Sequence, residues 1–568
     1  VPGFKIKTFK GKAPKVSPRL LGDGLAQKAD NCFLATGDLV PYKKSTVDWT
    51  AVAKSGDIKT LYKFGSGSVN GDTTQVSDGF WFHWNNDVDV VRNPAYNDSF
   101  NKVYFTGEGT KPPQVTDSTD ALEGTETAYP VTSTALGLAA PTVAPVIASG
   151  ELWGGDGATS SDPLTLEYRY YVYTFVDASG AESANSPPSG RVAVQVGEEP
   201  TLVVAQPPTG SPYATIANFR LYVTTTGSSA TDFQLCKEDS ASVTLMTDAG
   251  QRSEVLPTAT WQPPETGMIG LIAMSNGIMA GFEGSLLMFS EPYAPYAWPV
   301  EYQIGVDYEI VGLGVAGDQL VVCTKGNPYL VGGATSAAMS ITKIDIEQSC
   351  VSKRSIVSIL NGVMYASPDG LVYISAAGVE LKTEPLMTRR QWQALKPSSI
   401  HAYQHDNLYY GFYDNGTTKA GFILDPSSMH FVGLDQYATA GYNDLETDAL
   451  YLALPSSGGA KAQIVRWDYD SADEDYLWKS KKYVFKKPLP LACGKVIVTS
   501  GTVTVSVYAD GVALVIAPAA GTTLSLTKAN PVFRLPPILA TDWEVEVSGT
   551  GVVEAIILAD SISSLKDL

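Results

Sequence analysis

The sequence predicts an all-β protein: a β-propeller interrupted by an inserted fibronectin- or immunoglobulin-like sandwich and closed by a C-terminal β-sandwich. Three observations predict it. First, the chain is 44% hydrophobic and only 17% charged, and 52 glycines and 35 prolines cut the apolar residues into short runs. Many short strands joined by turns are written this way. Second, a strand-bearing unit recurs through the middle of the chain. Third, one proline-bounded block does not follow that repeat. With 568 residues the chain has room for two to four domains.

Residues 1–54 read as an N-terminal extended docking segment. Lys5, Lys7, Lys10, Lys12, Lys15 and Arg19 precede the first acidic residue, Asp23. Phe4, Ile6 and Phe9 are set among them with prolines nearby, which suits an extended tail lying on an acidic neighbour better than a nucleic-acid arm. Residues 55–139 read as the first propeller blades. The stretches around Asp78 ("SDGFWFHW") and from Asn101 ("NKVYFTGEG") are 23 residues apart and are expected to share one blade.

The repeat is clearest over 263–480. "NGIMAG" from Asn276, "DQLVVC" from Asp318, "NGVMYA" from Asn361, "DNLYYG" from Asp406 and "DALYLA" from Asp448 follow one another at steps of 42, 43, 45 and 42 residues. Each is Asn or Asp, one residue, then an apolar strand, and most lead through a turn into a second strand. A period near 40–45 residues with about four strands per unit is that of a propeller blade, whose two apolar faces must be covered by neighbouring blades. Six or seven blades result. Residues 140–262 break the pattern and form the inserted sandwich, with Tyr168, Tyr170, Val172, Thr174 and Val176 expected on one strand face. Residues 481–568 form the C-terminal sandwich, where Val503, Val505 and Val507 alternate with small polar residues.

The residues offer little chemistry. His401 and His405 are spaced as in a zinc helix, but on a strand four residues span about 13 Å. "DYDSADEDY" holds Asp468, Asp470, Asp473, Glu474 and Asp475 without the glycine a calcium loop needs. "SPDGLVYIS" at Ser367 misses the sialidase Asp-box spacing, and no nucleophile elbow or phosphate loop occurs. No catalytic residue, metal or cofactor is therefore expected. Cys32, Cys236, Cys323, Cys350 and Cys493 are odd in number and far apart, as suits reduced, buried thiols. With no apolar signal-like run at the start, folding in a cytosol is expected. The net charge of −19 is the wrong sign for gripping DNA phosphates.

Three stretches together resemble the tail nozzle (tail tubular protein B-like) proteins of short-tailed bacteriophages: the opening "FKIKTFKGKAPKVSPRLLGDGLAQKADNCFLATGDLVPYKK"; "LLMFSEPYAPYAWPVEY" with "GDQLVVCTKGNPYLVGG" and "CVSKRSIVSILNGVMYASPDGLVYI"; and the closing "VYADGVALV", "FRLPP" and "DWEVEVSG". The resemblance covers most of residues 1–50 and 265–560. It implies a non-enzymatic virion tail protein, folded in the host bacterial cytoplasm, that forms a six-fold ring below the portal and head-to-tail adaptor. Its channel would conduct double-stranded DNA in transit, without specific binding, and it would anchor tail fibres or needle and plug proteins. On that reading Tyr293, Tyr296 and Trp298 of "FSEPYAPYAWP" form a structural corner or a subunit contact rather than a sugar site, and with the six basic residues of the opening segment they are the expected assembly contacts. The alternative is a host-surface carbohydrate-binding or carbohydrate-cleaving tail protein.

Overall fold

The computed structural model describes residues 3–50, 56–65, 80–95, 97–122, 129–148, 166–195, 198–224, 232–456, 462–517 and 521–566. Strands dominate. Among the described residues the two α-helical segments, Ser118–Leu122 and Arg389–Gln393, are five residues each, and no helix is long and apolar enough to cross a membrane.

Seven antiparallel sheets carry the repeat. The first pairs Thr60–Phe64 with Phe80–Trp84. The second runs Asp89–Arg92, Val103–Thr106, Gln114–Thr116, Thr134–Ala135. The third comprises Ile269–Ala273, Met279–Glu283, Leu286–Phe289 and Gln303–Gly305. The fourth, fifth and sixth are four-stranded meanders beginning at Ile310–Ala316, Val357–Ile359 and His401–His405. The seventh takes Ala440–Asp444, Ala449–Ala453 and Gln463–Arg466 from late in the chain and Thr46–Thr50 from its beginning.

The repeated Asn or Asp sits in the turn between the first two strands of a sheet. Asn361, Asp406 and Asp448 have φ of 56°, 50° and 48°, a left-handed conformation that Asn and Asp adopt more cheaply than other side chains. The apolar run that follows is the second strand, buried on both faces, so its residues point alternately into two different seams. Val321 and Cys323 meet Val363 and Tyr365 of the fifth sheet, while Leu320 and Val322 meet Phe282 and Leu287 of the third. Met364 meets Tyr409 and Phe422 of the sixth. Tyr410 and Phe412 meet Leu450 and Leu452 of the seventh, and Tyr451 turns the other way onto Leu61 and Trp81 of the first. Phe82 and Trp84 pack on Val103 and Phe105 of the second, whose Val91 and Tyr104 pack on Leu271 and Met279 of the third. The stretches "FWFHW" and "NKVYFT" therefore lie in adjacent sheets, not in one as expected. Phe80–Trp84 hydrogen-bonds to Thr60–Phe64, and Val103–Thr106 takes Asp89–Arg92 as partner.

The insertion builds three small sheets around one core of Tyr171, Tyr173, Phe175, Leu202, Phe219 and Leu221. Its long strand starts at Tyr171, after a break at Tyr170. Tyr168 and Tyr170 are exposed while Val172, Thr174 and Val176 are buried, so the five residues do not share one environment as expected. The strand edge is covered by an irregular segment with serines every third position. Ser183, Ser186 and Ser189 each donate a backbone N–H to the carbonyl of Phe175, Tyr173 and Tyr171. Each hydroxyl in turn accepts from the N–H of the same residue, at 3.0–3.1 Å. This satisfies an edge that could otherwise pair with another chain.

The C-terminal sandwich is not confined to 481–568. One sheet has the order Gly3–Ile6, Val552–Ala559, Cys493–Ser500, Val532–Arg534. The facing sheet contains Ala26–Asp30, Tyr476–Ser480, Ala540–Gly549 and Thr502–Ala509. Phe4, Ile6 and Phe9 are buried between them with Trp478, Trp543 and Ile556. Residues 3–50 are thus an integral part of the fold, not a free docking tail. Their apolar side chains are worth more in this core than in water. Ala26–Asp30 also bridges in parallel to Phe431–Leu434 through Asp30 and Gly433, which joins the sandwich to the sixth sheet.

Candidate functional site

The first strands of the seven sheets approach a common cavity of about 210 Å³. Leu61, Asp89, Leu271, Leu313, Ile356, Tyr403 and Gly441 are among its lining residues, one from or beside the first strand of each sheet. Its charges are arranged in two groups. Lys353, just before the fifth sheet, reaches across to the second, with Nζ 2.7 Å from Asp89 Oδ2 and 3.4 Å from Asp87 Oδ2. Asp89 Oδ2 also accepts from the Gly270 N–H at 3.0 Å, drawing in the third sheet. Burial pushes the Asp89 carboxyl up against the opposing pull of Lys353. Burial works to lower the Lys353 ammonium, but the two carboxylates outweigh it and hold its pKa up. Arg354 spends its guanidinium on the carbonyls of Lys59 (2.7 Å) and Thr439 (2.6 Å) and on the Tyr403 hydroxyl (3.1 Å), tying the fifth sheet to the sixth and seventh. These charges cross-link strands and are engaged with one another. Nothing in the sequence marks them: Lys353 and Asp89 are 264 residues apart, and the "KRS" that carries both cations belongs to no motif.

His401 is buried beside this cavity, with Nε2 2.7 Å from the Ala438 carbonyl. Burial, and then Arg354, hold its pKa down to about 4 from an ordinary 6.5. The folded chain therefore keeps His401 neutral in a range where the unfolded chain takes up a proton. Its contribution is intact above pH 6.5 and declines as pH falls towards 4, by about 3 kcal/mol in all. We expect the melting temperature of the wild type to drop between pH 7 and 4.5 relative to that of His401→Gln. A constant difference between the two would mean that His401 titrates normally.

The other residues singled out from sequence are dispersed. Trp298 is 4% exposed and lies in the seam between the second and third sheets, its Nε1 donating to the Pro295 carbonyl at 2.8 Å. It is part of the chain's own core and offers no surface to a partner, so of the two expected roles, corner or subunit contact, the subunit contact is corrected for Trp298. Tyr296 stacks edge-on against Trp261 at 5.8 Å and faces the insertion, where burial together with Glu182 and Asp177 pushes its hydroxyl up to about 12. Beside it Lys102 Nζ hydrogen-bonds Ser179 and stands 3.8 Å from Asp177, so the second sheet and the insertion are fastened together. Tyr293 alone remains on the surface, at 60% exposed. Its ring lies over Gly277, where a Cβ would come within 2.5 Å of it. Of the basic residues, Lys12 pairs with Asp30 at 2.6 Å and Lys15 donates to the Glu384 carbonyl at 2.6 Å. Lys5 and Lys10 are half-buried; Lys7, Lys15 and Arg19 are exposed.

His401 and His405 do lie on a strand, His401–His405. One atom each of His405, Asp406 and Asp448 fall within 4.8 Å of one another, with both carboxylates exposed. In the acidic loop, Asp468 accepts from the Lys43 N–H and Asp473 pairs with Lys43 Nζ at 2.5 Å. Those carboxylates hold the N-terminal segment in place. All five cysteines are buried and free.

No family model and no curated relative matches the sequence. Among solved structures the chain is similar to a Bacteroides fragilis protein described as a "Putative exported protein", at 6% identity over 44% of this chain and 87% of that one, with a TM-score of 0.25. A likeness of that size carries no argument about function.

Proposed function

We propose that the chain is a structural subunit of a short-tailed phage tail. In this reading the seven sheets are the blades of a closed β-propeller, the insertion is a fibronectin- or immunoglobulin-like sandwich, and six copies form a nozzle ring through which DNA leaves the virion. The observation that carries the reading is the cavity where the first strands converge. At about 210 Å³, crossed by Lys353, Asp89 and Arg354, it is cross-linked scaffold. It could not admit a duplex whose major groove alone is about 12 Å wide. A conduit would have to be built between copies, with each subunit as a rigid wall segment.

Two further features support this. The first fifty residues enter the sandwich, bridge to the sixth sheet and complete the seventh, which makes the subunit one mechanical unit. The charge of −19 per chain is −114 over six copies, and a wall of that sign repels a passing polyanion. Lys7, Lys15 and Arg19, left exposed at one end of the woven segment, would meet an acidic portal-proximal adaptor. Fibres or plug proteins would dock elsewhere on the ring.

Native mass measurement and negative-stain microscopy of the full chain test this. A ring of about six copies with a central hole is expected. A monomer at assembly concentrations, an elongated trimer, or turnover of surface polysaccharide would overturn it.

A further inference from the structure

A second cavity, of about 400 Å³, opens where the turn after His401–His405 meets the end of Gln463–Arg466 and the N-terminal hairpin Cys32–Phe33/Val40–Pro41. Its wall is aromatic. Tyr42 lies 5.5 Å from Trp467 and 5.9 Å from Phe33, and Tyr410 lies 6.2 Å from Trp467, measured between ring centroids. Tyr42 and Tyr410 are 5% and 2% exposed, yet both line the cavity. Among the described residues the Tyr42 hydroxyl has no hydrogen-bond partner. The Trp467 indole N–H is also buried without a hydrogen bond, although it is close enough to Tyr410 to influence its phenol.

The carboxylates of Asp406 and Asp468 line the same space and act on both phenols. Among the described residues no lysine or arginine lines the cavity. The one nearby ammonium, on Lys43, is turned to Asp473. Asp468 receives only the Lys43 backbone N–H, and burial pushes its carboxyl up. His405 bonds Asn443 through Nδ1 at 3.0 Å, and its Nε2 stands 3.7 Å from Asp406 Oδ2. A third lining carboxylate, Asp425, accepts from the N–H groups of Ser427 and Ser428.

We propose that this cavity binds an organic cation: an ammonium group on a short apolar stem. Such a ligand would bring a permanent positive charge to Asp406 and Asp468, lay its stem or methyl groups on the tyrosine and tryptophan rings, and donate to the free Tyr42 hydroxyl. A neutral sugar would leave the two carboxylates uncompensated. Calcium or magnesium would need about six oxygen ligands and would leave the aromatic wall unused. The cation could be a free amine or a basic side chain from a second copy of the chain.

The test is calorimetric titration of choline chloride and n-butylammonium chloride into the full chain, with sodium chloride at equal ionic strength as the control. Saturable binding is expected, weakened on the order of tenfold by Asp468→Asn and by Asp406→Asn. Both substitutions suit backbones with φ of 55° and 50°, and at 468 the amide oxygen still accepts from the Lys43 N–H, so folding should be retained. Native mass measurement in the same titration separates the sources. Loss of subunit association on adding amine points to a basic side chain of another copy; binding at unchanged mass points to a free amine. Absence of saturable heat, equal binding by the variants, or preferential binding of calcium chloride or glucose overturns the proposal.

Discussion

Deletion of residues 1–50 is expected to unfold the sandwich and open the seventh sheet, and so to cost the whole chain its cooperative melt. Gly3–Ile6 is an edge strand on Val552–Ala559, Ala26–Asp30 lies between Tyr476–Ser480 and the sixth sheet, and Thr46–Thr50 is the fourth strand of the seventh. A single substitution should already report this. Phe9 is 0% exposed and meets Trp478 edge-on at 4.9 Å. Phe9→Ala is expected to cost about 3–5 kcal/mol through lost burial and the cavity left behind, and thermal melts followed by circular dichroism will read it. Lys7→Ala, on an exposed position of the same segment, should stay within about 0.5 kcal/mol of wild type. If Phe9→Ala and Lys7→Ala melt alike, the segment is a tail after all.

Lys353→Ala is expected to destabilise the chain for an electrostatic reason. Removing the ammonium leaves Asp89 and Asp87 facing each other in a cavity with their shared partner gone. The three groups are only partly buried, so the loss is expected to fall below the roughly 3–5 kcal/mol of a fully buried pair broken from one side. Asp89→Asn in the Lys353→Ala background should recover part of that loss, since it removes one stranded charge while keeping an acceptor for the Gly270 N–H. A double-mutant cycle in urea is the measurement. Additive losses with no recovery would show that the three groups do not act as a unit.

The repeat was legible because its signal is local. A turn of Asn, Asp or Gly with one residue at positive φ, followed by a run apolar on both faces, can be recognised within six residues. The same logic located the hairpins and kept His401 and His405 on a strand. It failed where partners are remote. The basic residues from Lys5 to Arg19 looked like a docking tail because their charge is visible in the sequence. The opposite strand that buries Phe4 and Ile6 arrives more than five hundred residues later. Trp298 looked like a surface anchor because an aromatic–proline corner has the same composition inside a protein as on its surface. Asp89, Lys353 and Arg354 left no trace at all.

By itself, then, the sequence determined the all-β class, the recurrence of a strand-bearing unit about every 43 residues and the turns that punctuate it, because backbone sterics and period-two burial act between near neighbours. Only the tertiary structure decided which strand completes the seventh sheet, which residues knit the sandwich to the sixth, and which charges meet where the first strands converge. Those choices depend on contacts between segments hundreds of residues apart, where a side chain's worth is set by the neighbours that desolvate or pair it and not by its place in the chain.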